Sequence, residues 1–300
     1  MPLSLLLTSV RAYVHLACHG LLLLACGCAS AETLVDVDAG GSYQDNLTRA
    51  RHREDFRGDA ALSVFASAGR IIVPDGMDTV VLSGYAHTEA FQRYRELDHL
   101  ELGTSVSYKH KLALGWAAAW ISAHASLSYD DHRDRLRDST RLFGELELGR
   151  RFRPELDASA GVFYDRRYDN HGESVVPGVS GKVFDLAGRG AFVRCGYELS
   201  ERLLLGSRLA LRKGDVESTS QRDFDVFLAS TAITPDTAFG DMRLVAYRID
   251  GLTRSAELNA SWAFDSRSSL NAAFAYARTN ADRGVVYSDS TSSLIYAYRF

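Results

Sequence analysis

At 300 residues, 46% hydrophobic and 24% charged, the chain suits one sizeable domain and is not disordered. Its formal charge of −4 argues against a nucleic-acid partner, which would select a basic face. Mean hydropathy near zero leaves membrane insertion open, because a chain crossing with alternating strands never shows a run of about 20 apolar residues.

Residues 1–31 read as a secretory signal: no acidic residue, one basic residue (Arg11), an apolar stretch ending Leu21-Leu22-Leu23-Leu24-Ala25, and Ala29-Ser30-Ala31 as a small-x-small cleavage site before Glu32. A transmembrane helix here is opposed by His15, His19 and the small-residue exit. The lipidated alternative, at Cys26, rests on Leu23-Leu24-Ala25-Cys26, where Leu24 fits poorly. Cleavage removes Cys18, Cys26 and Cys28, so the mature chain, 32–300, keeps only Cys195 and forms no internal disulfide. It also removes Arg11, leaving 33 Lys and Arg against 38 Asp and Glu, a formal charge of −5.

From Thr33 onward, units of about ten alternating residues are separated by connections. The pattern predicts strands at 33–43, 59–69, 78–88, 98–110, 114–128, 140–151, 156–168, 182–197, 203–213, 222–231, 240–249, 253–264, 268–279 and 290–300. An even count of 14 puts both ends on one side, with 12 as the alternative. The expected outer loops are 44–58, 89–97, 129–139, 169–181, 214–221, 250–252 and 280–289. Most are long and polar, whereas turns such as 152–155 and 265–267 are short. Two connections fit poorly, 250–252 being brief for an outer loop and 232–239 long for an inner turn, so 222–231 is the weakest strand.

Alternation assigns faces. Leu203, Leu205, Leu209 and Leu211 share one side, opposite Arg208 and Arg212; Leu142, Leu146 and Leu148 oppose Arg141, Glu145 and Glu147; Ala256, Leu258, Ala260 and Trp262 oppose Glu257 and Asn259. A charge facing lipid at the midplane costs about 2–4 kcal/mol, so the charged faces point into a lumen. Tyr43, Tyr108, Tyr129, Tyr164 and Phe264 fall near strand ends, as interfacial girdles do. A soluble β-sandwich also alternates, but the signal and the charged inner faces oppose it.

The predicted pore lining comprises Glu101, Lys109, His124, Arg141, Glu145, Glu147, Asp157, Asp165, Arg167, Arg208, Arg212, Asp225, Arg243 and Glu257. These are either a solvated, salt-bridged interior or a constriction that screens solutes by size and charge.

In the last stretch, Ser290 to Phe300, counting back by twos places Phe300, Tyr298, Tyr296 and Leu294 on one face. A terminal Phe after alternating Tyr resembles the closing strand of Gram-negative outer-membrane β-barrels. The resemblance implies an all-β, transmembrane antiparallel barrel in the bacterial outer membrane, with Tyr296, Tyr298 and Phe300 read by the barrel-insertion machinery. It also implies contact with outer-membrane lipids and lipopolysaccharide.

Enzymatic readings are thin. His124 and Ser126 share a strand face in a way that resembles outer-membrane lipid deacylases and phospholipases, but Leu127-Ser128 follows where those families carry Asn-Gly, and the face is lumenal. Asp130, Asp131 and His132 resemble only weakly the Asp and His pairs of outer-membrane proteases. Asp169-Asn170-His171-Gly172-Glu173 lacks a second His cluster for a metal. So little chain separates Glu32 from the first strand that no plug or periplasmic module is expected. The expectation is therefore a passive channel for small hydrophilic solutes or an exported polysaccharide, with no cofactor. The alternatives are a hydrolytic barrel and a closed structural or adhesive one.

Overall fold

The structure, a computed structural model, describes residues 32–74, 76–169, 171, 172 and 174–300. The signal predicted over 1–31 lies outside the described residues, as do Asn170 and Glu173 of the loop considered for metal.

The chain forms β1 (Glu32–Gln44), β2 (Asp59–Ile72), β3 (Asp78–Phe91), β4 (His99–Lys111), β5 (Trp120–His132), β6 (Ser139–Arg153), β7 (Leu156–Asp169), β8 (Leu186–Ser200) and β9 (Leu203–Ser220), a short helix α1 (Phe224–Ala229), then β10 (Ser230–Pro235), β11 (Val245–Ala263), β12 (Ser268–Ala281) and β13 (Val286–Arg299). From β1 to β9 and from β10 to β13 each strand pairs antiparallel with the next, β9 pairs with β11, and β1 pairs with β13. The ring that closes has 12 strands; β10 stands outside it, paired with the outer end of β11 and bridged at Ala232 to Ser180. Closure leaves the 12 ring strands no free edge within the bilayer, which offers backbone groups no partner.

The 14-strand expectation is corrected here. The strands read at 240–249 and 253–264 are one strand, so 250–252 is no loop, and 214–221 is the continuation of β9. Gly214 and Gly251, which resemble turn residues in sequence, are direct cross-strand partners within this long hairpin. Gly214 adopts φ 150°, a backbone region closed to side chains, where its Cβ would strike the Ala187 carbonyl. The strand read at 222–231 is α1 followed by the start of β10. Asp223 caps α1 by accepting bonds from the Asp225 and Val226 amides, while Val226 and Ala229, three apart, bury one face. The 232–239 stretch accordingly belongs to an outer connection and not to an inner turn.

Both ends do lie on one side, since Asp36 faces Arg299 across the closing seam. Short connections (73–77, 112–119, 154–155, 201–202, 264–267) share that side. Opposite are 45–58, 92–98, 133–138, 170–185, 221–244 and 282–285.

The outward positions form an apolar belt. Leu62, Leu102, Leu127, Leu146, Val162, Leu209, Leu258 and Phe274 are all exposed, Leu146 by 57%, and so are the girdle residues Tyr43, Tyr108, Tyr129, Tyr164 and Phe264. Cys195, a free thiol, is exposed on the same face. Substituting Leu146→Arg is expected to lower the stability of the refolded barrel by about 2–4 kcal/mol in urea titrations monitored by tryptophan fluorescence. An unchanged midpoint would place Leu146 away from lipid.

Buried apolar clusters lie not in the barrel but above it. Val226 packs with Val216, Ile249, Val285 and Tyr287; Phe239 and Leu244 pack with Ala61, Phe91 and Leu97; Val183 and Phe184 pack with Ala232 and Ala246. The second cluster carries the 221–244 connection from the β9–β11 rim to β2 and β3 on the far wall, so this segment crosses the outer mouth.

Candidate functional site

Inward side chains divide the barrel into two unlike arcs. Over the middle of β12, β13, β1 and β2 the alternation turns mostly small residues inward, Ala273, Ala275 and Ala277, Ser293 and Ala297, Gly40 and Ser42, Ser63 and Ser67, together with Phe65 and Ile295, while Asp36, Asp38 and Arg299 face in near the chain ends and Asp289 near the outer mouth. From β5 to β9 it turns in long charged and aromatic ones. Glycines let some rings lie flat along the wall: Tyr85 covers Gly103 and Trp120 covers Gly149, each at the place a Cβ would occupy.

Ion pairs join the charged arc. Arg194 lies 2.9 Å from Glu145 and 3.4 Å from Glu147; Arg208 lies 3.8 Å from Glu145. Arg141 donates to Asp165 at 2.9 Å, and Arg212 approaches the same carboxylate at 3.9 Å. Glu147 also accepts from Ser159. Running through these pairs is a row of rings, His124, Phe143, Phe163 and Phe192, with successive centroids 6.1, 6.3 and 6.4 Å apart. Arg194 and Arg208 lie 4.4 and 4.9 Å from the Phe192 ring, so the guanidiniums have a π face as well as carboxylates.

These groups line a cavity of about 850 Å³ that includes His124, Arg141, Glu145, Glu147, Asp157, Asp165, Arg208, Arg212 and Glu257. A space of about 330 Å³ beyond it is lined by Arg167 among others, and one of about 440 Å³ lies by Asp36, Asp38 and Arg299 near the chain ends. Arg167 donates to Ser139 Oγ at 2.7 Å and to the Arg137 carbonyl at 2.9 Å. Glu101 accepts from Tyr85 Oη at 3.0 Å, and Lys109 Nζ lies 4.3 Å from the Trp120 ring. Asp225 and Arg243, predicted on strands, are in the 221–244 connection. Asp225 pairs with Arg51 at 3.1 Å; Arg243 binds Asp241 at 2.9 Å and holds that carboxyl down at about 2.

The candidate catalytic groups are not assembled. His124 Nδ1 lies 2.8 Å from Ser107 Oγ on β4, and its neighbour is Phe143. Asp130 and Asp131 take opposite faces by alternation, Asp130 bonding Ser139 and His132 stacking on His99 at 4.8 Å.

Sequence reasoning missed Arg194 and the three phenylalanines. Arg194 has inward parity with Phe192, but inward aromatics look like belt residues until the register is known. It also missed the clasp over the outer mouth. Arg137, between β5 and β6, donates to Asp236 at 2.8 Å and to Asp134 at 2.6 Å, and lies 4.5 Å from the Phe184 ring. Thr219 donates to the same Asp236 carboxylate at 2.6 Å. These residues are 99 and 17 positions from Asp236 in sequence.

At the seam, the Phe300 amide bonds the Val35 carbonyl at 3.0 Å, and Tyr296 and Phe300 are exposed, with the Tyr298 and Phe300 rings 4.8 Å apart.

No protein-family model matches the chain. No curated protein matches it in sequence. Among solved structures it is similar to an outer membrane channel from Pseudomonas putida F1, at 11% identity over 91% of this chain and 97% of that one, with a TM-score of 0.60. It is also similar to the NanC porin, at 9% identity over 87% and 98% of the two chains, with a TM-score of 0.47. Ring closure, the apolar belt and the likeness to the Pseudomonas putida channel together show the fold, a 12-stranded antiparallel transmembrane β-barrel of the outer-membrane type, with no single family marked out within it.

Proposed function

We propose that the chain is a passive channel of the bacterial outer membrane, carrying small hydrophilic solutes or an exported polysaccharide, with a lid of outer loops over its mouth. The observation that carries this reading is the contrast of arcs: a wall of paired charges and rings faces a wall whose middle is mostly Ala, Ser and Gly, with Phe65 and Ile295 its large side chains, and a cavity of about 850 Å³ lies along the former. A barrel filled for structural reasons would bring large side chains in from all sides. The fold shared with an outer membrane channel supports the same reading.

In this reading residues 1–31 direct export and are removed, and the insertion machinery recognises Tyr296, Tyr298 and Phe300. Lipid, including lipopolysaccharide in the outer leaflet, surrounds the belt. The charged arc acts on a passing solute through fixed fields rather than bond-making.

The test is single-channel recording of refolded 32–300 in a planar bilayer, with heat-modifiable gel mobility as the check on folding. Discrete conductance steps are expected. Silence at every voltage, in a folded barrel and in a variant with the lid released, would refute the channel.

A further inference from the structure

On the lipid side of the barrel, five adjacent strands each end their apolar run with a cation. Going outward from the chain ends, β7 reads Val162, Tyr164, Arg166; β8 reads Val193, Ala191, Arg189; β9 reads Leu209, Leu211, Lys213; β11 reads Leu258, Ala256, Arg254; and β12 reads Phe274, Tyr276, Arg278. From Trp262, at the lower girdle, to Arg254 is eight residues of β11. At about 3.4 Å per residue and a tilt near 40° that is roughly 21 Å of height, close to the apolar band of such barrels. The cations therefore stand at the upper lipid boundary, on the side of the long loops. Corresponding outward positions on β1 to β6 and β13 carry Tyr43, Ala60, Thr88, Leu100, Tyr129, Thr140 and Ser288.

The register makes this row more than a collection of surface charges. Arg189 is the direct cross-strand partner of Lys213, and Arg254 that of Arg278. Like charges placed opposite each other repel and destabilise a sheet unless an anion lies between them. Lys213 has Asp250 at 2.7 Å and Arg166 has Asp185 at 2.5 Å, but Arg189, Arg254 and Arg278 are exposed and make no ion pair among the described residues. The two cation pairs are centred two strands apart, roughly 10 Å.

We infer that this row is a binding site for a phosphorylated glycolipid of the outer leaflet, one headgroup placing two phosphates on the two cation pairs while its acyl chains lie along Leu209, Leu211, Leu258 and Phe274. Arginine suits the task because its planar fork bonds phosphate in pairs. Phosphates provide the missing counter-charge, and the apolar strands directly below accept the chains. The inference rests on the barrel standing in the outer membrane as proposed above, and not on its conducting.

Native mass spectrometry of the detergent-solubilised barrel tests it, using bis-phosphorylated lipid A, the same lipid after enzymatic dephosphorylation, and cardiolipin. The bis-phosphorylated lipid is expected to remain bound, the dephosphorylated one to bind at least tenfold more weakly, and R254Q/R278Q to lose at least tenfold in affinity. Arg150→Gln, on the outer face near the chain ends, is expected to bind as the unaltered chain does. Equal retention of the dephosphorylated lipid, or unaltered binding by R254Q/R278Q, would overturn the site, and equal retention of cardiolipin would overturn the glycolipid as its occupant. Conductance recorded on R254Q/R278Q separates the two proposals: a conducting barrel without lipid preference sinks this site alone, and a silent barrel that selects the phosphorylated lipid sinks the channel alone.

Discussion

Asp236→Ala is expected to release the segment 221–244 from the outer mouth. Asp236 is 1% exposed and its carboxylate receives both Arg137 and Thr219. Its loss leaves a guanidinium buried between Phe184 and Phe239 with Asp134 as its remaining carboxylate, and removes one charge-assisted hydrogen bond worth about 1.5–3 kcal/mol. The segment is held otherwise by small clusters around Phe239 and Leu244 and around Val226, so a penalty of that size is comparable to what retains it. Two readouts should move together. Trypsin should cut after Arg222 and Arg243 at least tenfold faster, and open-channel conductance should rise. Asp241→Asn, which alters a rim contact to Arg57 and Arg243, should change neither appreciably. If D236A keeps the protection and conductance of the unaltered chain, the clasp does not govern the mouth.

The second large effect concerns ion selectivity. Replacing Glu145 and Glu147 together by Gln removes the two carboxylates nearest Arg194 and leaves Arg194, Arg208 and Arg212 in excess on the charged arc. One unit charge about 6 Å from an ion in water shifts its energy by roughly 0.7 kcal/mol, or about threefold in relative permeability, so two carboxylates imply roughly tenfold. Reversal potentials in a salt gradient should accordingly move toward the anion limit in E145Q/E147Q and toward the cation limit in R194Q/R208Q. Equal reversal potentials in the two variants would mean that permeating ions do not pass this wall. Asp36, Asp38, Asp289 and Arg299 on the opposite arc, with Asp157, Asp165 and Glu257, add to the same field, so each shift is read as a difference from the unaltered chain.

Much of the barrel was written in the period of two. Leu142, Glu145, Leu146 and Glu147 declare their faces without reference to any partner strand, because a charge near the bilayer midplane is costly against lipid and a leucine run has no reason to face water. The same alternation placed His124, Arg141, Asp165, Arg208, Arg212 and Glu257 on the inner wall, where the structure has them around one cavity. The terminal Tyr-x-Tyr-x-Phe pattern carried the class of fold for the same local reason.

What local pattern could not carry is anything decided by a partner distant in sequence. Gly214 and Asp250-Gly251 have the chemistry of turns; only their pairing across β9 and β11 makes them part of one continuous hairpin, and that pairing turned 14 expected strands into 12. Asp225 and Arg243 were drawn into the lining by strands that do not form, since capping by Asp223 and burial of Val226 against Ile249 and Tyr287 favour a helix. The clasp of Arg137 on Asp236 and the opposed cations Arg254 and Arg278 exist only once β5, β6, β9, β11 and β12 are in register. Sequence determined which face of each strand meets lipid, because that depends on a single side chain and its solvent. Tertiary structure decided the strand count, the lid and the pairing of charges, because each depends on which residues the closed ring sets opposite one another.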